Sequence, residues 1–157
     1  MGKTMKKIIF FTLFLFLNFS ALAIGSWLMG LGPRADWYLN LNKAPWTPPG
    51  WVFGVAWTFI MICFSLYMVV LLRKITSPKV WFLFAIQWVL NVSWNWFFFN
   101  QHFMIAAELV LFLLTLTVLG FAIIYRKNGG KFTVLIIPYF LWLLVANSMN
   151  IYAVLYN

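Results

Sequence analysis

Five long apolar segments constrain the fold of this chain more than any other feature. They cover residues 8–29, 50–72, 80–100, 105–125 and 132–156. A helix of roughly 20 apolar residues crosses the ~30 Å hydrocarbon core of a bilayer, whereas the strands of membrane barrels alternate apolar and polar residues over about 10 residues. The pattern therefore predicts an all-α integral membrane protein. We expect a single transmembrane domain over residues 1–157, built as a bundle of five transmembrane helices with a long loop, residues 30–49, between helices 1 and 2.

The composition excludes a soluble globular domain. The chain is 65% hydrophobic and 8% charged, whereas soluble domains are about half apolar and about a quarter charged. The net charge of +9 could suggest a nucleic-acid partner, but the basic residues lie in short clusters between apolar segments and not along one face. We therefore expect no nucleic-acid partner.

The basic clusters predict the orientation in the membrane. Nine of the eleven basic residues lie in three segments that share one side of a five-helix bundle, namely Lys3, Lys6, Lys7, Arg73, Lys74, Lys79, Arg126, Lys127 and Lys131. The opposite side holds Arg34 and Lys43. Because cytoplasmic loops carry the excess of Lys and Arg, we expect the N-terminus in the cytoplasm and the C-terminus outside.

The first apolar segment has a second interpretation. Three lysines, an apolar run and Ala21-Leu22-Ala23 resemble a cleavable signal peptide. The apolar run continues past Ala23 to Leu31, which is long enough to span a bilayer and favours a retained helix. The orientation of the other four helices is the same under both interpretations.

The connection at residues 30–49 is long for so compact a chain. Residues 37–57, with the sequence WYLNLNKAPWTPPGWVFGVAW, contain four tryptophans and three prolines. Long loops of this kind are usually functional or disordered, and the need to bury Trp37 and Trp46 argues against disorder. We predict that residues 30–49, hereafter the lid loop, fold over a binding site, and that Trp57 extends that site into the second helix.

Polar residues recur on two of the apolar segments. Gln87, Asn91 and Asn95 are four residues apart, so they share one helical face. Asn147 and Asn150 are one turn apart in the last segment. Such amides form hydrogen bonds between helices or line a polar cavity. The spacing favours interhelical hydrogen bonds, and both interpretations can hold for different residues.

Several tryptophans lie deep within the apolar segments, namely Trp57, Trp88, Trp94, Trp96 and Trp142. A deep tryptophan packs its rings and usually pairs its N–H group. Packing is the default for any single one. Several that converge near amides would suit a large, flat aromatic ligand that needs few polar contacts.

Residues for conventional catalysis are scarce. The chain has one histidine, His102, and two acidic residues, Asp36 and Glu108. The sequence has no set of residues at the spacing of metal ligands, and it has no glycine-rich phosphate loop. We therefore expect no metal, no required cofactor and no conventional catalytic constellation. The sequence also has no charged path through the bilayer, which argues against an ion-coupled pump.

Three motifs carry a resemblance to a known family. They are Trp37-Tyr38 with Trp46-Thr47-Pro48-Pro49 and Val55-Ala56-Trp57, then Leu90-Asn91 with Trp94 and Phe98-Phe99, then Pro138-Tyr139 with Trp142, Ala146 and Asn150. Together they resemble the translocator protein family, also called tryptophan-rich sensory protein (TspO) or peripheral benzodiazepine receptor, in its bacterial type. The resemblance covers the whole chain except its N-terminal tail.

The resemblance implies a five-helix bundle, often a homodimer, in a bacterial cell membrane. Family members bind porphyrins such as protoporphyrin IX, and isoquinoline-type ligands, in a pocket between the helices under the first loop. The porphyrin would be a ligand or substrate and not a cofactor. Carried over residue by residue, the ligand contacts would be Tyr38, Trp46, Pro49, Trp57, Met61, Gln87, Asn91, Trp94, Trp142, Ala146 and Met149.

Three hypotheses for the function follow. The first is a porphyrin-binding sensor or transporter in tetrapyrrole handling. The second is light- and oxygen-dependent porphyrin degradation, in which Trp57 and Trp142 would be the catalytic residues. The third is a structural membrane protein without a small-molecule ligand. For a homodimer, Ala21-x-x-x-Gly25 and Gly50-x-x-x-Gly54 offer small-residue faces, although packing within one chain explains them equally well.

Overall fold

The computed structural model describes residues 2–157, and it shows why the long apolar segments become helices. Continuous apolar sequence in a bilayer must satisfy its backbone hydrogen bonds within the segment, which a helix does. The helices are α1 (Lys3–Leu28), α2 (Asp36–Asn40), α3 (Gly50–Lys74), α4 (Pro78–Asn95), α5 (Met104–Ile124), α6 (Arg126–Gly129) and α7 (Ile137–Tyr156). Five of the helical segments within residues 2–157 are long and apolar enough to cross a membrane, and these residues form no strand. The predicted fold class is confirmed.

The five long helices close into a ring. Helix α1 packs against α3 and α4, α4 packs against α5, α5 packs against α7, and α7 returns to α3. The connection between α4 and α5 is short, so these two helices form an antiparallel pair. The lid loop joins α1 to α3 and therefore lies at the end of the bundle where α3 begins.

An aromatic core fills the end of the bundle opposite the lid loop. Its members are Phe64, Tyr67, Phe84, Phe121 and Tyr139, none more than 4% exposed. The Phe64 ring stacks on Phe84 with centroids 6.1 Å apart. It also meets the ring edges of Phe121 and Tyr139 at 5.5 Å and 5.6 Å. Stacked and edge-to-face pairs of this kind are the favoured aromatic geometries, so Phe64 joins four helices.

The last apolar segment differs from the prediction in its first turns. The sequence predicts a helix over residues 132–156, whereas Gly130–Ile136 form a 3₁₀ helix and the α-helix begins at Ile137. Pro138 lies in the first turn of α7, where its missing N–H group does no harm. The same proline would break an α-helix that continued from Lys131. Gly130 supplies the left-handed backbone (φ 57°) that turns the chain into this segment.

Helix α4 also changes its winding before it ends. Residues Trp96–Asn100 form a π-helical turn, and π turns occur frequently at functional sites. The side chain of Asn95 donates a hydrogen bond from Nδ2 to the carbonyl oxygen of Asn91 at 3.1 Å. The Asn95 side chain therefore pairs with a backbone carbonyl oxygen where the winding changes, and it does not line a cavity.

The two small-residue faces have different environments. Ala21 is 1% exposed, and a methyl group at Gly25 would lie 2.6 Å from Nδ2 of Asn95. This face therefore packs against α4 within the chain. A methyl group at Gly50 or Gly54 would meet no atom within 4 Å. Of the two candidate dimer faces, the one on α3 is open, and the homodimer stays a prediction.

Candidate ligand-binding cavity

A cavity lies beneath the lid loop, between α3, α4, α5 and α7. Tryptophans from three helices form its walls, with Trp57 on α3, Trp94 on α4 and Trp142 on α7. The rest of the lining is Tyr38, Leu41, Lys43, Ala44, Thr47, Phe53, Phe98, Phe99, Leu111, Ala146, Met149, Asn150 and Ala153. The space within it that water molecules could occupy is about 60 Å³.

Helical periodicity explains which residues reach the cavity. On α7, Trp142, Ala146, Met149 and Ala153 recur at intervals of three or four residues and so share one face. On α3, Phe53 lies one turn before Trp57, so both side chains reach the cavity. Phe53 contacts Trp142 edge to face at 5.4 Å, which closes the cavity between α3 and α7.

The structure brings six of the eleven predicted ligand contacts together. Tyr38, Trp57, Trp94, Trp142, Ala146 and Met149 line the cavity. The other five, Trp46, Pro49, Met61, Gln87 and Asn91, are not part of its lining. Met61 is fully buried in the packed interior, and Pro49 is exposed at the start of α3.

Gln87 and Asn91 lie one layer behind the cavity wall. Their side-chain amides donate hydrogen bonds to the Tyr139 hydroxyl oxygen, from Nε2 of Gln87 at 2.8 Å and from Nδ2 of Asn91 at 2.7 Å. Tyr139 in turn meets the Trp57 ring edge to face at 5.8 Å. These amides therefore join α4 to α7 and support the wall that Trp57 forms. Their contact with a ligand stays a prediction.

Trp46 fastens the lid loop to α7. Its indole Nε1 donates a hydrogen bond to Oγ of Ser148 at 3.1 Å, and its ring meets Tyr152 edge to face at 5.6 Å. The indole is 53% exposed. In this conformation Trp46 is a fastening on the outside of the cavity and not one of its walls.

Asn157 makes a second fastening. The side-chain amide of Asn157 pairs with the backbone of Asn42 in the lid loop. The Asn42 N–H group donates to Oδ1 of Asn157 at 2.9 Å, and Nδ2 of Asn157 donates to the Asn42 carbonyl oxygen at 3.3 Å. This pair, hereafter the Asn157 clasp, holds the lid loop against the end of α7.

The short helix α2 fixes the rest of the lid loop. Trp37 on α2 stacks on His102 with ring centroids 4.1 Å apart. Lys43 donates from Nζ to the carbonyl oxygens of Tyr38 and Leu39 at 2.9 Å and 3.2 Å, where a cation complements the C-terminal end of the helix. Burial raises the pKa of the Tyr38 hydroxyl, and the Tyr38 side chain lines the cavity.

Sequence reasoning missed several lining residues, and two kinds of signal could have found them. Helical spacing from predicted residues indicates Phe53, Phe98 and Ala153. The family motif contains Asn150, which was not assigned to the ligand. For Leu41, Ala44 and Thr47 in the lid loop the sequence has no such periodicity. Among residues 2–157, no three His, Cys, Asp or Glu side chains come together, so the polar chemistry of the cavity comes from amide, hydroxyl and indole groups and one lysine.

A separate groove lies on the outer surface between α3 and α7. It is lined by Ala56, Phe59, Ile60, Pro138, Leu141, Trp142 and Val145, and its volume is about 210 Å³. The lining is almost wholly apolar, as expected for a surface in contact with lipid. Trp142 lines both the groove and the cavity, so its indole separates the cavity from the lipid side.

Comparison with known proteins decides the family. Residues 6–155 match the sequence profile of the TspO/MBR family. The chain belongs to the TspO/MBR family. The resemblance found in the three motifs is thereby confirmed, and with it the tryptophan-rich membrane character of the protein.

Three similar proteins come from bacteria. Membrane protein YtaB of Bacillus subtilis (strain 168) is 32% identical over 126 residues, which cover 74% of this chain and 81% of that protein. Tryptophan-rich protein TspO of Bacillus cereus is 32% identical over 123 residues, covering 75% and 80%. The tryptophan-rich sensory protein of Cereibacter sphaeroides is 31% identical over 122 residues, covering 78% and 77%.

Proposed function

We propose that this TspO/MBR protein binds a porphyrin, or a related flat aromatic molecule such as an isoquinoline, in the cavity beneath the lid loop. One observation carries the proposal. Trp57, Trp94 and Trp142 come from three different helices and line the same apolar cavity. Indole faces stack on planar rings, and ligand sites are apolar cavities with few polar groups. The name of the Cereibacter sphaeroides relative supports a sensor, and a transporter of tetrapyrroles would use the same site.

Binding requires the lid loop to move. The cavity has about 60 Å³ of open space, whereas sites for small molecules usually have roughly 300–1,000 Å³. A tetrapyrrole would therefore enter as the lid loop opens, and the Trp46 and Asn157 fastenings would re-form over it. Loops that cover a site in this way open on the microsecond to millisecond timescale.

The setting of this function is a bacterial cell membrane, with the lid loop on the outer side. The nine basic residues lie in the N-terminal segment and in the connections at the end opposite the lid loop. The positive-inside rule places that end in the cytoplasm. A homodimer would form through the open small-residue face that contains Gly50 and Gly54.

A fluorescence titration tests ligand binding. Protoporphyrin IX added to purified protein should quench tryptophan emission to saturation. Trp142→Leu should weaken the apparent Kd about fivefold, because it removes a ring face worth about 1 kcal/mol of stacking. Trp27→Leu is the matched control, since Trp27 is 78% exposed on α1, and it should leave the Kd unchanged. Quenching without saturation would contradict the proposal and favour a structural membrane protein.

A second function has one observation in its favour. Trp57 and Trp142 both line the cavity, so both would contact a bound macrocycle. In light, the excited porphyrin would take an electron from an indole and pass it to dioxygen, which becomes superoxide. The indole radical cation would then take an electron from the porphyrin, so that the porphyrin is oxidised and the indole is restored. Illumination with oxygen should then change the porphyrin absorption spectrum, and Trp57→Phe and Trp142→Phe should abolish the change while binding persists. An unchanged spectrum in the wild type would contradict degradation and leave binding or transport as the function.

A further inference from the structure

Two buried polar atoms, on side chains that line the cavity, have no hydrogen-bond partner within residues 2–157. They are Nε1 of Trp94, a donor, and Oδ1 of Asn150, an acceptor. Both side chains line the cavity. Trp94 also packs against the cluster that contains Ala153, one turn from Asn150 on α7. Because an unpaired buried polar atom is costly, such atoms on two lining side chains indicate where polar groups of a ligand belong.

The orientation of the Asn150 amide is fixed by its neighbours. Nδ2 donates to Oε2 of Glu108 at 3.0 Å and lies 3.4 Å from the carbonyl oxygen of Met104. The Met104 carbonyl oxygen can only accept, so turning the amide over would place Oδ1 against it and lose that contact. Asn150 is 3% exposed. Its Oδ1 is therefore held away from α5 as an acceptor without a partner.

The Trp94 indole is also held in place by its neighbours. Its ring stacks on Phe98 with centroids 5.5 Å apart and meets Phe99 edge to face at 5.7 Å. These contacts fix the indole plane but offer no acceptor to Nε1. By contrast, the Trp88 indole, on the same helix, donates to the Leu17 carbonyl oxygen at 2.8 Å. An indole N–H group in this bundle can thus find a backbone acceptor, but the N–H group of Trp94 has no partner within residues 2–157.

We propose that the cavity selects ligands whose edge carries an acceptor and a donor side by side, as in a neutral carboxyl group or a primary amide. The ligand carbonyl oxygen accepts from Nε1 of Trp94, and the ligand O–H or N–H donates to Oδ1 of Asn150. Glu108 is a positioning residue that holds the Asn150 amide. This inference rests on the proposed porphyrin-binding function and adds the polar specificity of the same site.

Three uncharged porphyrins separate the two hydrogen bonds. Octaethylporphyrin has no polar edge group, protoporphyrin IX dimethyl ester adds acceptors, and protoporphyrin IX diamide adds donors as well. Each hydrogen bond should improve affinity about five- to tenfold. The wild-type Kd should therefore fall from octaethylporphyrin to the ester, and again from the ester to the diamide.

The variants assign each step of that series to one atom. Asn150→Leu should remove the preference for the diamide over the ester, because Oδ1 is gone. Trp94→Phe should remove the preference for the ester over octaethylporphyrin. This substitution breaks no internal hydrogen bond, so it can be measured even if Asn150→Leu does not fold. Glu108→Gln is the matched control, since its amide oxygen still accepts from Asn150 and both ratios should match the wild type.

The outcomes distinguish this inference from the proposed function. If the wild type binds none of the three porphyrins, the proposed function fails and the inference fails with it. If it binds all three with equal affinity, or if the ratios are unchanged in both variants, the function stands and the inference is overturned. In that case water molecules pair the two atoms, which is the alternative for small polar cavities.

Discussion

The two ends of the bundle are both built from aromatic rings, but they differ in how the polar groups of those rings and their neighbours are hydrogen-bonded. In the aromatic core, the Tyr67 hydroxyl donates to the Phe121 carbonyl oxygen at 3.1 Å, and Tyr139 accepts from two amides. In the cavity, Trp94 and Asn150 each keep an unpaired polar atom. Aromatic content alone therefore does not locate the binding site. Unpaired buried atoms also occur on Asn18, Gln87, Thr133 and Asn147, so what distinguishes Trp94 and Asn150 is that their side chains also line the cavity.

Removing a ring from each end should give the largest difference between them. Phe64→Ala should lower the free energy of unfolding by about 3 kcal/mol, because the side chain is fully buried and leaves a cavity among four other rings. Trp142→Ala, at a position already beside open space, should cost about 1 kcal/mol. Denaturant titration in mixed micelles measures both. Equal losses would show that the two ends are packed alike.

The paired hydroxyl of the aromatic core should matter less than its rings. Tyr139→Phe would leave the side-chain amides of Gln87 and Asn91 without their acceptor, at a cost of about 1–2 kcal/mol of unfolding free energy. Tyr156→Phe is the control, since Tyr156 is 59% exposed. The same micelle titration reports the difference. A loss no larger than in the control would mean that the amides find other partners.

The smallest effect should come from the lid loop and should appear in rates. Asn157→Ala removes the Asn157 clasp, so protoporphyrin IX should associate and dissociate about fivefold faster by stopped-flow quenching, with stability almost unchanged. Asn42→Ala is a close control, because the clasp uses only the backbone of Asn42. If both variants behave alike, the clasp does not control access to the cavity.

The fold could be predicted from the sequence because it depends on one strong pattern. Long apolar segments must be helical in a bilayer, and the structure has five of them within residues 2–157. The first turns of the last segment differed from the prediction, since Pro138 separates a 3₁₀ helix from α7. Hydropathy alone cannot distinguish these two helix types, because the residues are equally apolar.

The site could be predicted in part. The family resemblance predicts Tyr38, Trp57 and Trp142 as ligand contacts, and all three line the cavity. Gln87 and Asn91 lie on the predicted face of α4, but that face meets the Tyr139 hydroxyl. A sequence shows which side of a helix carries the amides, but it does not show which neighbour they meet.

By itself the sequence determined the membrane class, the five long helices and the family, because these depend on runs of residues within single segments. The tertiary structure alone decided which polar groups pair. It directed the amides of α4 to Tyr139 and left Nε1 of Trp94 and Oδ1 of Asn150, on two lining side chains, without an internal partner. The physical reason is that a hydrogen bond between helices depends on distances of a few tenths of an ångström between residues far apart in the chain.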